Sequence, residues 1–270
     1  MQYDRRIWPW IPSALVLLMA GCRASGSAGG AGEPEPPVDE VGEEPSADPT
    51  AAGLTAGTSL EGRPIEYSVH GEGELTVLLL ATIHGDEPAG TPLLGRLAEE
   101  LAGQPPWLAG RRVVLVPVAN PDGLARGTRR NARGVDLNRN FPAGNFRGSR
   151  RHGDEPLSEP ESRALAELIE LYAPARILSL HQPADLLDYD GPAAALAAAL
   201  EGTSPLPVRR LGSRPGSLGS YAGVDLGLPV LTVELPGGAE RLAAEELWER
   251  YGGLILAAIA YPGDAAAEAK

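Results

Sequence analysis

His84 and Glu87 stand three apart in H-G-D-E, and a second histidine, His181, closes the apolar run R-I-L-S-L-H. A fourth ionisable side chain, Glu234, falls near the end of another apolar run, L-P-V-L-T-V-E-L. Two imidazoles and one carboxylate are the donor set of a catalytic zinc site that keeps its fourth position open. Water in that position is acidified enough to act as a nucleophile near neutral pH. A carboxylate outside the donor set is then needed to take the water's proton and pass it to a leaving amine, and Glu234 is the candidate. H-x-x-E alone is commonplace, and a lone histidine is more often a satisfied core or surface group than a ligand. The weight of these four residues rests on whether the fold brings them to one place.

The elements that would do so can be read from patterning. L-T-V-L-L-L-A-T-I-H (75–84) is a continuous apolar run, the mark of a strand buried on both faces. R-V-V-L-V-P-V (112–118), R-I-L-S-L-H (176–181) and L-P-V-L-T-V-E-L (228–235) read the same way, and P-I-E-Y-S-V (64–69) alternates as a half-buried strand does. Helices are expected over 88–101, over about 158–172 with S-E-P-E as a capping box, over 216–226, and over 239–260. Strands alternating with helices predict a three-layer α/β fold, a central mixed but mostly parallel sheet flanked by helices. Sites in such sheets form at the carboxyl ends of strands, and His84, His181 and Glu234 all fall there. Gly85 permits a tight turn between His84 and Glu87.

Between 119 and 157 no period holds, and a loop of that length inside a compact domain is usually functional or disordered. It carries N-P-D-G, T-R-R-N and G-V-D-L-N-R-N-F-P. These pieces, taken with H-G-D-E, S-L-H and T-V-E-L-P in the same order, resemble the zinc metallocarboxypeptidase family over nearly all of the region after residue 58. The resemblance implies a carboxypeptidase-like fold and one zinc ion held by His84, Glu87 and His181, with Glu234 as the base. It also implies that Arg129, ten residues before Arg139, polarises the scissile carbonyl, and that Asn138 and Arg139 clamp the substrate's terminal carboxylate. Elementary chemistry agrees with the clamp, because a guanidinium offers parallel N–H donors matched to a carboxylate and a neighbouring amide adds one more.

L-S-E-P-E-S-R-A-L (157–165) and R-P-G-S-L-G-S-Y (214–221) are similar to segments of the bacterial murein peptide amidases, which cut the γ-D-glutamyl–diaminopimelate bond of cell-wall peptides. Tyr221 is the nearest candidate for the mobile substrate-closing tyrosine of the family, although it stands closer to Glu234 than that residue does, and packing in a short helix is its competing reading. An aspartoacylase-type deacylase of N-acyl amino acids shares H-x-x-E and a D-L-N-R block and stays open as an alternative. So does a wall-binding receptor without catalysis, against which Glu234 stands, since pure binding needs no base.

The rest of the chain bounds location and partners. Of 270 residues, 43% are hydrophobic, and the net charge of −13 sets nucleic acid aside as a partner. The lone cysteine is Cys22, in L-M-A-G-C after Arg5, Arg6 and a short apolar run. A charged start, a short apolar core and small residues make a signal segment, and small residues before Cys resemble a lipobox. The expected plan is a lipoprotein signal over 1–22 with Cys22 lipidated, a disordered tether over 23–57, a catalytic domain over 58–262 and a tail over 263–270. Seven acids and one base, with abundant Gly and Pro, make the tether unable to bury a core. Lipid anchorage in the cell envelope, facing the periplasm and by analogy on the outer membrane, follows as an expectation. The expected partners are then a cell-wall peptide and a membrane.

Overall fold

The computed structural model describes residues 53–262. The expected signal, most of the tether and the tail lie outside the described residues. One boundary moves: residues 54–57, assigned to the tether, belong to a strand. β1 (Leu54–Thr58) pairs antiparallel with β2 (Pro64–His70), and Gly57 packs against Ala164 of a helix. The hairpin is pinned from a distance. Buried Asp122 accepts from Ser59 Oγ (2.8 Å), the Glu61 backbone (3.0 Å) and Arg63 Nη1 (2.7 Å).

The continuous apolar runs form the centre of the sheet. β3 (Leu75–Ala81) lies between β4 (Arg111–Val116) and β5 (Arg176–His181), parallel to both, and β7 (Val230–Pro236) is parallel to β5. β2 and β6 (Ala184–Asp190) run antiparallel outside them, giving the order β1-β2-β4-β3-β5-β7-β6. The sheet is therefore mixed and parallel in its middle, as expected. β6 was not anticipated: A-D-L-L-D-Y-D has too many acids to read as a strand.

Helices α1 (Gly90–Ala102), α4 (Ala194–Ala199) and α5 (Ala244–Ala260) cover one face, where Leu93, Leu97, Leu254 and Ile255 are fully buried against Val77 and Leu79. α3 (Pro160–Tyr172) covers the other face beside β1. The short α2 (Pro121–Arg126) sits inside the long loop.

Three expected helices differ in detail. α3 has no capping box. Pro160 takes its first position, Glu159 is the extended cap residue, and Ser158 lies one residue too early. Ser158 instead bonds Glu159 and Asn140, while Glu161 is drawn to Asn131 at 3.1 Å. The 216–226 helix is a π-helix over Gly219–Asp225. The last helix begins as a 3-10 turn (Ala239–Arg241), breaks at Leu242 and restarts as α5.

Candidate active site

β3 ends at Ala81, and the chain turns through Thr82, whose φ of 53° is left-handed, before reaching His84. Gly85 is required at this turn by proximity: a Cβ there would lie 2.0 Å from the Gly123 carbonyl carbon. α2 thus presses on the H-G-D-E turn, and N-P-D-G exists to place it. Asn120 caps α2 through its Oδ1 (2.9 Å from Gly123 N) and donates from Nδ2 to the carbonyls of Ile83 (3.2 Å) and Arg129 (3.4 Å). One buried amide ties the strand end to the segment carrying Arg129.

The fold brings His84, Glu87 and His181 together, all buried, with one potential ligand atom from each within 4.8 Å of the others. His84 Nδ1 and His181 Nδ1 face each other at 3.2 Å. Glu87 Oε1 lies 2.9 Å from the first and Oε2 2.9 Å from the second. Two nitrogens about 2.0–2.1 Å from one tetrahedral zinc ion stand about 3.3 Å apart. The pair therefore already has the span that zinc demands. The opposite ring nitrogens are anchored: His84 Nε2 to Asp136 Oδ1 (3.1 Å) and His181 Nε2 to Ser179 Oγ (3.0 Å). Donation of a ring N–H to a carboxylate fixes the tautomer and leaves the other nitrogen's lone pair for the metal. The donor set fits zinc.

Asp136 is a functional residue that sequence reasoning left unassigned. It is the Asp of G-V-D-L-N-R, and besides His84 it receives Arg129 Nε at 3.1 Å. Burial pushes the Asp136 carboxyl up, but the His84 hydrogen bond and the charges of His84 and Arg129 prevail and hold it well below the usual carboxylate range. Glu87 behaves alike, burial being outweighed by its bonds to His181 and His84.

The remaining expected residues fall into clear roles of place. Arg129 donates Nη1 to Glu87 Oε1 (2.7 Å) and Nε to Asp136 (3.1 Å), which leaves Nη2 without a hydrogen-bond partner among the described residues, and its side chain lines the cavity. Adjacent Arg130 does not line the cavity. Asn138 Oδ1 accepts the Leu218 backbone N–H (2.9 Å), which leaves Nδ2, 3.5 Å from His181 Nε2. Arg139 also lines the cavity and, among the described residues, forms no ion pair. Burial lowers its pKa; the Asp136 charge opposes this, while the charges of Arg129 and Arg214 add to it. Glu234 stands beside His181 in the β5–β7 register, half-buried, its Oε2 3.4 Å from Ala184 N.

The second asparagine of N-R-N points away. Asn140 Nδ2 donates to the carbonyls of His152 and Glu155, and its Oδ1 accepts Glu159 N, fixing the loop over α3. Tyr221, named as a candidate for substrate binding with packing as its competing reading, sits where packing would place it. It is 3% exposed, its ring stacks on Phe141 at 5.9 Å, and it does not line the cavity. The cavity itself, about 280 Å³, contains the His–Glu–His cluster, Arg129, Arg139 and Glu234 together.

Comparison with known proteins places this geometry. The family profile described as zinc carboxypeptidase matches residues 47–195. The chain is 36% identical over 214 residues to murein peptide amidase A of Escherichia coli (strain K12), spanning 72% of this chain and 84% of that protein. It is 34% identical over 218 residues to murein peptide amidase A of Vibrio campbellii, spanning 74% and 85%. Among solved structures, the murein-tripeptide amidase MpaA of Escherichia coli O157 superposes with a TM-score of 0.63 at 32% identity, over 79% of this chain and 94% of that one. The carboxypeptidase A of Helicoverpa armigera superposes with the same TM-score at 23% identity, over 78% and 69%, a likeness of fold.

Proposed function

The chain belongs to the zinc carboxypeptidase family, and from that membership we propose that it cleaves the amide bond beside a free carboxylate in cell-wall peptides, γ-D-glutamyl–diaminopimelate in murein. The enzyme class, a zinc-dependent hydrolase, follows from the family. The observation that carries the finer reading is Arg139, a guanidinium that forms no ion pair among the described residues and lines the cavity that holds the donor cluster and Glu234.

In this reading His84, Glu87 and His181 hold zinc, which when bound supplies a Lewis acid that polarises carbonyls and acidifies water. Arg139 receives the free carboxylate of the leaving residue through its parallel N–H donors, and Asn138 Nδ2 adds one more. Gripping that carboxylate sets the scissile bond in register. Arg129, with Nη2 left over, would donate to the developing oxyanion, and a donor of this kind is worth ~10²–10³ in rate. Glu234 removes the proton from the attacking water and returns it to the departing nitrogen, so the amine leaves neutral and the Glu234 carboxylate is restored.

The test is mass spectrometry of murein tripeptide after incubation with the zinc-loaded protein and with Glu234→Gln at equal zinc content. The expected products are those of cleavage before diaminopimelate, with the variant slower by ~10²–10⁴. Absence of cleavage in the wild type, or equal rates, would remove the reading. The N-terminal pattern supports a lipid anchor at Cys22 in the envelope, and Cys22→Ala should abolish incorporation of labelled fatty acid by the full chain.

A further inference from the structure

Arg129 and Asp136 bond each other, Nε to Oδ2 at 3.1 Å, and so close the loop 129–136 at its two ends. Inside that loop sits Asn131, the last residue of T-R-R-N, which does not line the cavity. It is 3% exposed. Its Oδ1 accepts the backbone N–H groups of Arg133 and Val135 (3.1 Å each). Its Nδ2 donates one hydrogen to Glu159 Oε2 (2.7 Å) and the other to Glu161 Oε2 (3.1 Å). A primary amide has two donors and room for two hydrogens on its oxygen, so every place is taken. The Asn131 backbone adds two bonds: its N–H donates to the Val135 carbonyl (3.0 Å), and its carbonyl accepts Gly134 N (2.9 Å).

The two acceptors at the start of α3 are costly to keep there. Glu159 and Glu161 are 1% and 0% exposed. Glu159 has Arg133 Nε at 3.4 Å, while Glu161 forms no ion pair among the described residues. Burial, with the charges of Glu159 and Asp122, pushes the Glu161 carboxyl up. Among the described residues, the side chain that bonds both carboxylates is Asn131. A buried polar network with its central member fully satisfied specifies one arrangement of the groups it joins.

Those groups are the two ends of the loop. Upstream, the Arg129 carbonyl accepts Gly85 N (3.3 Å) and Asn120 Nδ2 (3.4 Å). These bonds fix the chain at Arg129 but not the direction of its guanidinium. That direction is set by two acceptors, Glu87 Oε1 and Asp136 Oδ2. Asp136 directly follows Val135, whose N–H and carbonyl both end on Asn131. Asp136 has one further anchor, its own N–H on the Arg151 carbonyl (2.7 Å). Loss of the Asn131 amide would therefore loosen the Arg129–Asp136 pair without dissolving it.

We propose that Asn131 is a positioning residue: held by two buried carboxylates of α3, it fixes Asp136 against Arg129 and so orients the guanidinium for the carbonyl to be cleaved. The proposal rests on the reading of Arg129 as the oxyanion donor.

The test is a double-mutant cycle on the full zinc-loaded chain with murein tripeptide, using the wild type, Asn131→Ala, Arg129→Ala and the double variant. Asn131→Ala should lower kcat about tenfold, a part of the ~10²–10³ that such a donor supplies. KM should change little, because the carboxylate grip at Arg139 is untouched, and one zinc per chain should remain. In the Arg129→Ala background the same substitution should cost nothing further, since residues that act through one another are not additive. Equal losses in both backgrounds would overturn the proposal and leave Asn131 a purely structural residue. A second readout needs no turnover. The Arg129 Nε–H, identified by NMR through its loss in Arg129→Ala, should exchange with solvent about tenfold faster in Asn131→Ala than in the wild type. Unchanged exchange would sink the proposal too. If the wild type does not cut the peptide, the proposed function fails and the exchange rate alone decides on Asn131. Should Asn131→Ala not fold, Asn131→Asp, which keeps Oδ1 but loses the donor to Glu159 and Glu161, is read through the same cycle and the same exchange.

Discussion

At one end of the cavity Glu87, with Asp136 behind His84, lies among His84, His181 and Arg129, and both carboxyls are held well below the ordinary range. At the other end Asp188 and Asp190 lie as deeply buried and form no ion pair among the described residues, and the Asp190 carboxyl is held above it, at about 6. Burial opposes ionisation in both places. The difference is whether the chain supplies the counter-charge. Around the donor cluster it does, through hydrogen-bonded imidazoles and a guanidinium, so the cluster is assembled before any ligand arrives. Along β6 it supplies less: the Arg210 charge and the Ser213 hydrogen bond act on Asp190, but burial and the charge of Asp188 outweigh them. A catalytic centre gains from being preorganised.

The sharpest way to break the contrast is to remove a donor from the assembled end. His181→Ala should abolish stoichiometric zinc binding and hydrolysis together, as read by metal analysis and peptide cleavage, because two donors and an open coordination sphere no longer make the site. Retention of one zinc per chain by the variant would show that the ion sits elsewhere. The next effect is subtler. Asp136→Asn leaves the donors in place but takes the carboxylate from His84 Nε2 and from Arg129. Zinc affinity should fall about 10–100-fold, the usual consequence of losing a ligand's orienting partner, in a competition titration against a chromophoric chelator. Unchanged affinity would mean that the His84 ring is held by packing alone.

What could be seen of this contrast in the sequence follows the same division. β3, β4, β5 and β7 are central strands, so their residues are apolar on both faces and their ends are marked by the first polar side chain. That is why His84, His181 and Glu234 stood out. β6 is an edge strand with one face toward a polar cavity. Its alternation of Asp188, Tyr189 and Asp190 reads as loop, and these buried acids were hidden with it. Asp136 was in plain view inside G-V-D-L-N-R, but its partner His84 is 52 residues away, and no local spacing reports a ring's second nitrogen. Asn138 and Asn140 look equivalent as letters. The 3-10 turn over Leu137–Arg139 turns the first inward, while the second is spent on the loop over α3. Ser158 was misread as a cap because Pro160 shifts the helix start by one residue.

The smallest effect tests the β6 end by stability. The groups that act on Asp190 are Asp188 and Arg210 by charge and Ser213 by hydrogen bond, and burial is the largest influence. Its folded pKa of about 6 lies above the reference value of 3.8. The folded state therefore holds this proton more tightly than the unfolded state. The associated stabilisation is complete below pH 3.8 and is lost as the pH rises through about 6. Asparagine at this position resembles the protonated acid at every pH. Asp190→Asn should therefore melt above the wild type by a few degrees at pH 7.5, since ~1 kcal/mol moves Tm by about 2–4 °C in a chain of this size. The gap should shrink as the pH is lowered from about 6 and close near pH 4, all other groups being common to both proteins. Melting curves of the zinc-loaded pair at pH 7.5, 6 and 4.5 read this directly. A gap independent of pH would show that the aspartate is already compensated within the fold, and the distinction between the two ends of the cavity would disappear.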